Sequence, residues 1–183
     1  MKPLDVLALT LEDLCRMGKD AFPEVIGQVT SFCCSQFGLR PIEVAILLAS
    51  ADASVLSFAA PAYLVDSGMI PVSSHEAVVS EIFRKGKSLV ENNIQQQKHL
   101  VIFEMIPTPD KKVLPIWKMM GAVLPGVAGR HVGVVELSRR GESFVEAGED
   151  FSDEQLEILT EMAQKVGPFI QKVMPEDYKG KVR

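Results

Sequence analysis

Apolar residues recur at helical spacing at both ends of the chain and alternate in strand fashion between them. Leu4, Leu7, Leu11 and Leu14 share one face over residues 4–17, with Gly18 as the stop. A second helix follows Pro23, with Phe22, Val25, Ile26, Val29, Phe32, Cys33 and Phe37 on one side and Gly38 closing it. Residues 42–49 are alternating and β-branched, and Ala51-Asp-Ala53 turns the chain into 54–59, so the two read as a hairpin. Two prolines and Gly68 mark 60–73 as an irregular connection. Residues 74–86 form a compact helix: Ser74 caps it, Ala77, Val78, Ile82 and Phe83 face inward, and Gly86 ends it. A short edge strand at 88–90 and a polar loop at 91–98 come next. Residues 99–106 alternate as a strand until Pro107-Thr-Pro-Asp110 breaks them, and 116–124 resumes as a central strand.

The last third carries the sharpest local signals. Residues 131–138 form a buried strand, with Arg139-Arg140 as a solvated turn pair, and Gly121 and Gly133 are expected to relieve crowding within the sheet. Ser152 is an N-cap with Gln155 three residues on, as a capping box requires. Beyond it Leu156, Leu159, Ala163, Val166, Ile170 and Val173 repeat at spacings of three and four, an a/d seam. This seam, with the leucine face of 4–14, is expected to be an association surface. Pro168 predicts a kink or a shortened helix near Gly167. The order of elements predicts an α+β fold: an antiparallel sheet with the terminal helices on one face and the 74–86 helix with its loops on the other. The expected divisions are a helical extension over 1–21, a domain over 22–175 and a flexible tail over 176–183.

Composition narrows the function classes. The 183 residues are 47% hydrophobic and 23% charged, enough to bury a sizeable core. Net charge is −5, and no cluster of Lys or Arg exceeds a pair, so no nucleic-acid partner is expected. No apolar run is long enough to span a bilayer, so no membrane association is expected either. Asp5, Glu12 and Asp13 interrupt any signal-peptide core, which predicts a cytoplasmic location. Cys15, Cys33 and Cys34 form neither a disulfide framework nor a Cys-x-x-Cys metal motif. His75, His99 and His131 are far apart without ligand spacing, so no metal is expected.

Over roughly residues 22–173 the chain resembles a GAF domain. The resemblance rests on Arg84-Lys-Gly-Lys-Ser-Leu-Val90, the strand pair 118–124 and 132–137, and Gly148-Glu-Asp-Phe-Ser-Asp-Glu-Gln-Leu156 leading into the last helix. It implies a GAF-like (PAS-related) sheet of about six strands, terminal helices that pack in dimers, and a pocket on the opposite face. Family members sense cyclic nucleotides, tetrapyrroles, oxo-acids or other small molecules; some only join chains, and a few are enzymes. From that topology Phe58, Tyr63, Phe83, His99, Phe103, Met105 and Trp117 are expected near the pocket.

The chain departs from the better-known ligand signatures of that family. Cyclic-nucleotide members carry Asn-Lys…Phe…Asp-Glu, whereas here Asn92 and Asn93 precede Phe103-Glu104 without the Lys or the acidic pair. No cysteine follows residue 34, so a covalent chromophore is not expected. A methionine sulfoxide reductase of this fold would need thiols over the pocket, while Cys33 falls on the apolar face of a helix. The leading expectation is a regulatory module that binds an unidentified small molecule noncovalently, homodimerises through its terminal helices and acts on a partner signalling protein. The alternatives are a dimerisation scaffold and a thiol redox enzyme. A cavity of several hundred Å³ would favour the sensor, and one no larger than a few waters the scaffold.

Overall fold

The computed structural model describes residues 2–100 and 103–180. Met1, two positions of the strand expected over 99–106 (Val101 and Ile102), and 181–183 of the expected tail lie outside the described residues. The described chain forms four helices, α1 (Pro3–Cys15), α2 (Phe22–Phe37), α3 (Val78–Lys85) and α4 (Asp153–Val173). Its strands are β1 (Val44–Ala49), β2 (Val55–Ala60), β3 (Met69–Pro71), β4 (Leu89–Glu91), β5 (Ile116–Pro125) and β6 (His131–Arg140). They make one sheet in the order β3-β2-β1-β6-β5-β4, antiparallel throughout. The fold class is α+β, as the sequence predicts.

The terminal helices cover one face of this sheet. Leu4, Leu7 and Leu11 of α1, Val25, Val29 and Cys33 of α2, and Leu159, Val166 and Ile170 of α4 form one cluster with Ile46, Leu48, Met120, Leu124, Val135 and Leu137 of the strands. Leu47, Leu56, Phe58 and Val134 point the other way and meet Val79, Ile82 and Phe83 of α3. Both faces are therefore buried, and alternation along each strand divides residues between two cores.

Local chemistry sets the boundaries. Gly38 ends α2 in the left-handed conformation at φ +64°, which costs a glycine nothing. Ser152 Oγ accepts from the Gln155 N–H and Gln155 Oε1 from the Ser152 N–H, each at 3.1 Å, completing the predicted capping box of α4. At Gly133 a Cβ would stand 2.2 Å from the Leu47 carbonyl oxygen, so close strand contact requires the glycine there. Gly167 lets α4 lie against Pro125, whose carbonyl oxygen would be 2.0 Å from an added Cβ. The helix continues through Pro168 and is not shortened.

Several expectations need correction. The a/d seam is not a free surface: Leu159, Ala163, Val166, Ile170 and Val173 are fully buried within this chain, against the sheet and the other terminal helices. The leucine face of α1 is used up in the same way. Residues 99–106 do not form a strand where they are described, and β5 is flanked by β4 and β6. That segment crosses the outer face of the sheet instead, and the Leu100 N–H donates to the Glu76 carbonyl.

Arg139 and Arg140 belong to β6 rather than to a solvated turn. Glu43, in the turn before β1, accepts from the Arg140 backbone N–H at 2.9 Å and extends the pairing. Helix α3 starts at Val78; Ser74 Oγ accepts from the N–H groups of Glu76 and Ala77 and so caps the preceding turn. Val79 is buried while Val78 is half-buried. The connection over 60–73 contains the short edge strand β3, whose Pro71 hides the signal. Residues 176–180 are docked rather than frayed: Tyr178 is only 3% exposed, its hydroxyl donates to the Phe58 carbonyl at 2.8 Å, and Asp177 accepts from the Ala51 N–H.

Candidate functional site

On the face opposite α1, α2 and α4, the sheet and its cover enclose a cavity of about 60 Å³. Ala45 and Leu47 of β1, Phe58 of β2, Met119 of β5, and Glu136, Ser138 and Arg140 of β6 form its floor. Leu64, Ile70, Val78 and Val79 close one side, and Ile94, His99, Leu100, Phe103 and Glu104 close the other. The walls are mainly apolar, with the charged groups gathered toward one end of β6.

Glu136 owes its place to strand alternation. Val135 and Leu137 face the helices, so Glu136 must face the cavity. Its neighbours across the ladder are Ala45 and Gly121, both too small to cover it. Ile82 of α3 fills the space a Gly121 side chain would take, with Cδ1 2.6 Å from that Cβ position. Glu136 is half-buried, and its carboxylate has no hydrogen-bond partner among the described residues. Burial pushes its pKa up to about 7; Arg140 opposes the rise, Glu104 reinforces it and His99 opposes it.

The other ionisable groups are already engaged. Glu104 Oε1 meets His99 Nε2 at 2.6 Å, and its Oε2 accepts from the Ile116 N–H at 2.8 Å and from Gln95 Nε2 at 3.2 Å. Arg140 Nη1 donates to the Leu114 carbonyl at 3.3 Å, and its Nε is sealed from solvent without a partner. Ser138 Oγ donates to the Glu43 carbonyl at 3.4 Å. Glu43 closes the end of the site by accepting from Arg40 Nη2 at 2.7 Å and from the backbone N–H groups of Arg40 and Arg140 at 2.9 Å. Burial works to raise the Glu43 pKa, but the hydrogen bonds from Arg40 and Arg140 outweigh it and hold it below the usual value.

Of the seven residues expected near the pocket, the structure brings Phe58, His99 and Phe103 to the cavity wall, and the two phenyl rings meet edge-on at 5.0 Å. Tyr63 packs within the outer core, off the cavity, with its hydroxyl buried and unpartnered. Phe83 lies at the far end of α3 against His131, 5.7 Å between rings. Met105 is 64% exposed. Trp117 turns away because the β5–β6 register shifts between Ile116 and Lys118. Its Nε1 donates to the Gly141 carbonyl, and its ring meets Phe144. Glu104 and Glu136 were not foreseen, and Arg140 was expected in a solvated turn; for the two β6 residues the available signal was a charged residue at every cavity-facing step but one after Val134.

The cysteines do not reach this site. Cys33 is fully buried in the helix-side core, where burial and then Cys34 push its thiol up, away from the reactive thiolate. Cys15 and Cys34 are raised by burial too. Asn92, from the partial cyclic-nucleotide signature, exchanges two hydrogen bonds with the backbone of Phe151 and so anchors the loop before α4. Among the described residues no group of acidic, histidine or cysteine side chains could hold a metal, and no helix is long and apolar enough to cross a membrane.

No protein-family model matches the sequence, and no curated protein matches it. Solved structures do match in fold. Residues 122 to 287 of a methyl-accepting chemotaxis protein superpose with a TM-score of 0.65 at 16% identity, covering 89% of this chain and 96% of that one. The GAF domain of an Acinetobacter phosphoenolpyruvate-protein phosphotransferase gives 0.64 at 9% identity, covering 93% and 94%. Free methionine-R-sulfoxide reductase from Neisseria meningitidis, in complex with its substrate, gives 0.61 at 15% identity, covering 93% and 89%. With six antiparallel strands, the terminal helices on one face and a covered cavity on the other, the chain has the fold of a GAF domain.

Proposed function

We propose that this protein is a regulatory module that takes a small molecule noncovalently in the cavity between the sheet and its outer cover. One observation carries the reading: Glu136 is half-buried, lines the cavity and has no hydrogen-bond partner among the described residues. A polar group partly withdrawn from water without a hydrogen bond costs the fold at most on the order of 1–3 kcal/mol. A ligand would supply the missing partner, and the apolar walls around Phe58 and Leu47 would hold the rest of it.

The volume also favours a second reading. A cavity of about 60 Å³ has room for a few waters, well short of the several hundred expected of a sensor. A scaffold whose pocket is filled by Phe58 and Phe103 would look like this. Native mass spectrometry of protein purified from its own host separates the two. A retained non-protein mass that is lost in Ala45→Leu, which fills the floor, supports the ligand-binding module. A bare protein whose melting temperature no small-metabolite panel moves sinks it and leaves the scaffold.

Signalling through a homodimer is part of the same proposal, but it cannot use the buried seam. The outer face of α1, where Val6 and Leu9 are exposed, is an apolar surface open to a partner chain. A Val6→Glu, Leu9→Glu variant should sediment as a monomer where the native chain sediments as a dimer.

A further inference from the structure

We infer that the cavity is built for a small primary ammonium group, held by the Glu136 carboxylate, on a carbon chain short enough to lie between Leu47, Phe58 and Met119. This inference rests on the ligand-binding reading above and adds the chemical class. Hydrogen-bonding capacity decides it. Glu104 already receives His99, Gln95 and the Ile116 N–H, so both of its oxygens are occupied. Arg140 Nε lacks a partner, but it is sealed from the cavity as well as from solvent and cannot meet a ligand's acceptor. Glu136 lines the void and receives nothing from the described residues. An ionised carboxylate only accepts hydrogen bonds, so the group that completes it must donate them. In a low-dielectric wall, a donor that also carries positive charge gains more from the contact than a neutral one.

Size fixes the rest. At about 10–15 Å³ for each water-sized centre, the cavity holds a ligand of about four to six non-hydrogen atoms. An n-propylammonium ion meets that limit, with n-propanol and propionate as neutral and anionic comparisons.

The test is titration of the full-length protein with these three probes at about pH 8, followed through the methyl resonances of Met119 and Ile116, both of which line the cavity. Propylammonium is expected to bind roughly tenfold or more tightly than propanol, with propionate weakest. Glu136→Gln should remove that preference, and Glu136→Asp, which keeps the charge, should retain part of it. Propanol or propionate binding as well as the amine, or an amine affinity unchanged in Glu136→Gln, overturns the ammonium assignment while leaving a ligand-binding cavity in place. If none of the three shifts the cavity methyls at tens of millimolar, both the assignment and the ligand-binding reading fall.

Discussion

Replacing Glu136 with Gln should make the protein more stable at neutral pH and change nothing at acidic pH. Burial raises the carboxyl from its ordinary 4.5 to about 7. Between those values the folded chain keeps a proton that the unfolded chain has released. The group's favourable contribution is therefore complete below about pH 4.5, declines as pH rises, and is gone above about pH 7. A gap of about 2.5 pH units, at about 1.4 kcal/mol each, is worth about 3 kcal/mol. Glu136 is only half-buried, so solvent screening makes this an upper bound. The amide of the variant is the same size and does not titrate. Urea unfolding of both proteins at a series of pH values isolates the effect, because the other ionisable groups cancel in the difference. The variant's advantage should grow from about zero near pH 4.5 to at most about 3 kcal/mol near pH 8. A difference that stays flat across this range would refute the claim that the fold holds the Glu136 carboxyl half-buried and unpaired.

Glu43 should behave in the opposite sense. Its hydrogen bonds hold its pKa down, so its contribution is present above the ordinary carboxyl range and lost as pH falls. Glu43→Gln should cost about 1–3 kcal/mol near pH 7 and progressively less in acid, measured by the same unfolding series. Gly133→Ala should destabilise by about 1–3 kcal/mol, since the new Cβ meets the Leu47 carbonyl oxygen; in a chain of this size each kcal/mol lowers the melting temperature by about 2–4 °C. Leu159→Ala should cost about 2–5 kcal/mol even in dilute monomer, because Leu159 is buried within one chain. A cost that appears only at concentrations where chains associate would restore the seam as an interface.

The terminal helices and the central strands were legible because their signals are local: Gly38, the Ser152–Gln155 box and the apolar spacing each act within a few residues. The seam in α4 was legible as a stripe but not as to its partner, since a 3–4 repeat buries itself equally well against a sheet or against another helix. Residues 99–106 alternate like a strand, yet β4 and β6 flank β5 on both sides, and the described part of the segment lies over the face of the sheet. Glu136 was overlooked for a related reason. In a sheet with one wet face, an acid at an alternate position is an ordinary surface residue. Here α3 and the crossing segment cover that face, so the same alternation places the acid in a cavity. Trp117 was misplaced because a register shift, invisible in the sequence, reverses the direction of its side chain.

The docking of Tyr178 bears on how the protein should be handled at the bench. A boundary drawn at the end of α4 looks natural, since the helix stops at Val173 and polar residues follow. Cutting there would strip the Phe58 carbonyl of its hydroxyl donor and Phe22 of a ring neighbour 5.5 Å away. Phe58 also forms part of the cavity wall, so a shortened version would be altered on a strand that lines the cavity. Affinity handles belong at the N-terminal end, and binding measured on a version trimmed after α4 would describe a different cavity.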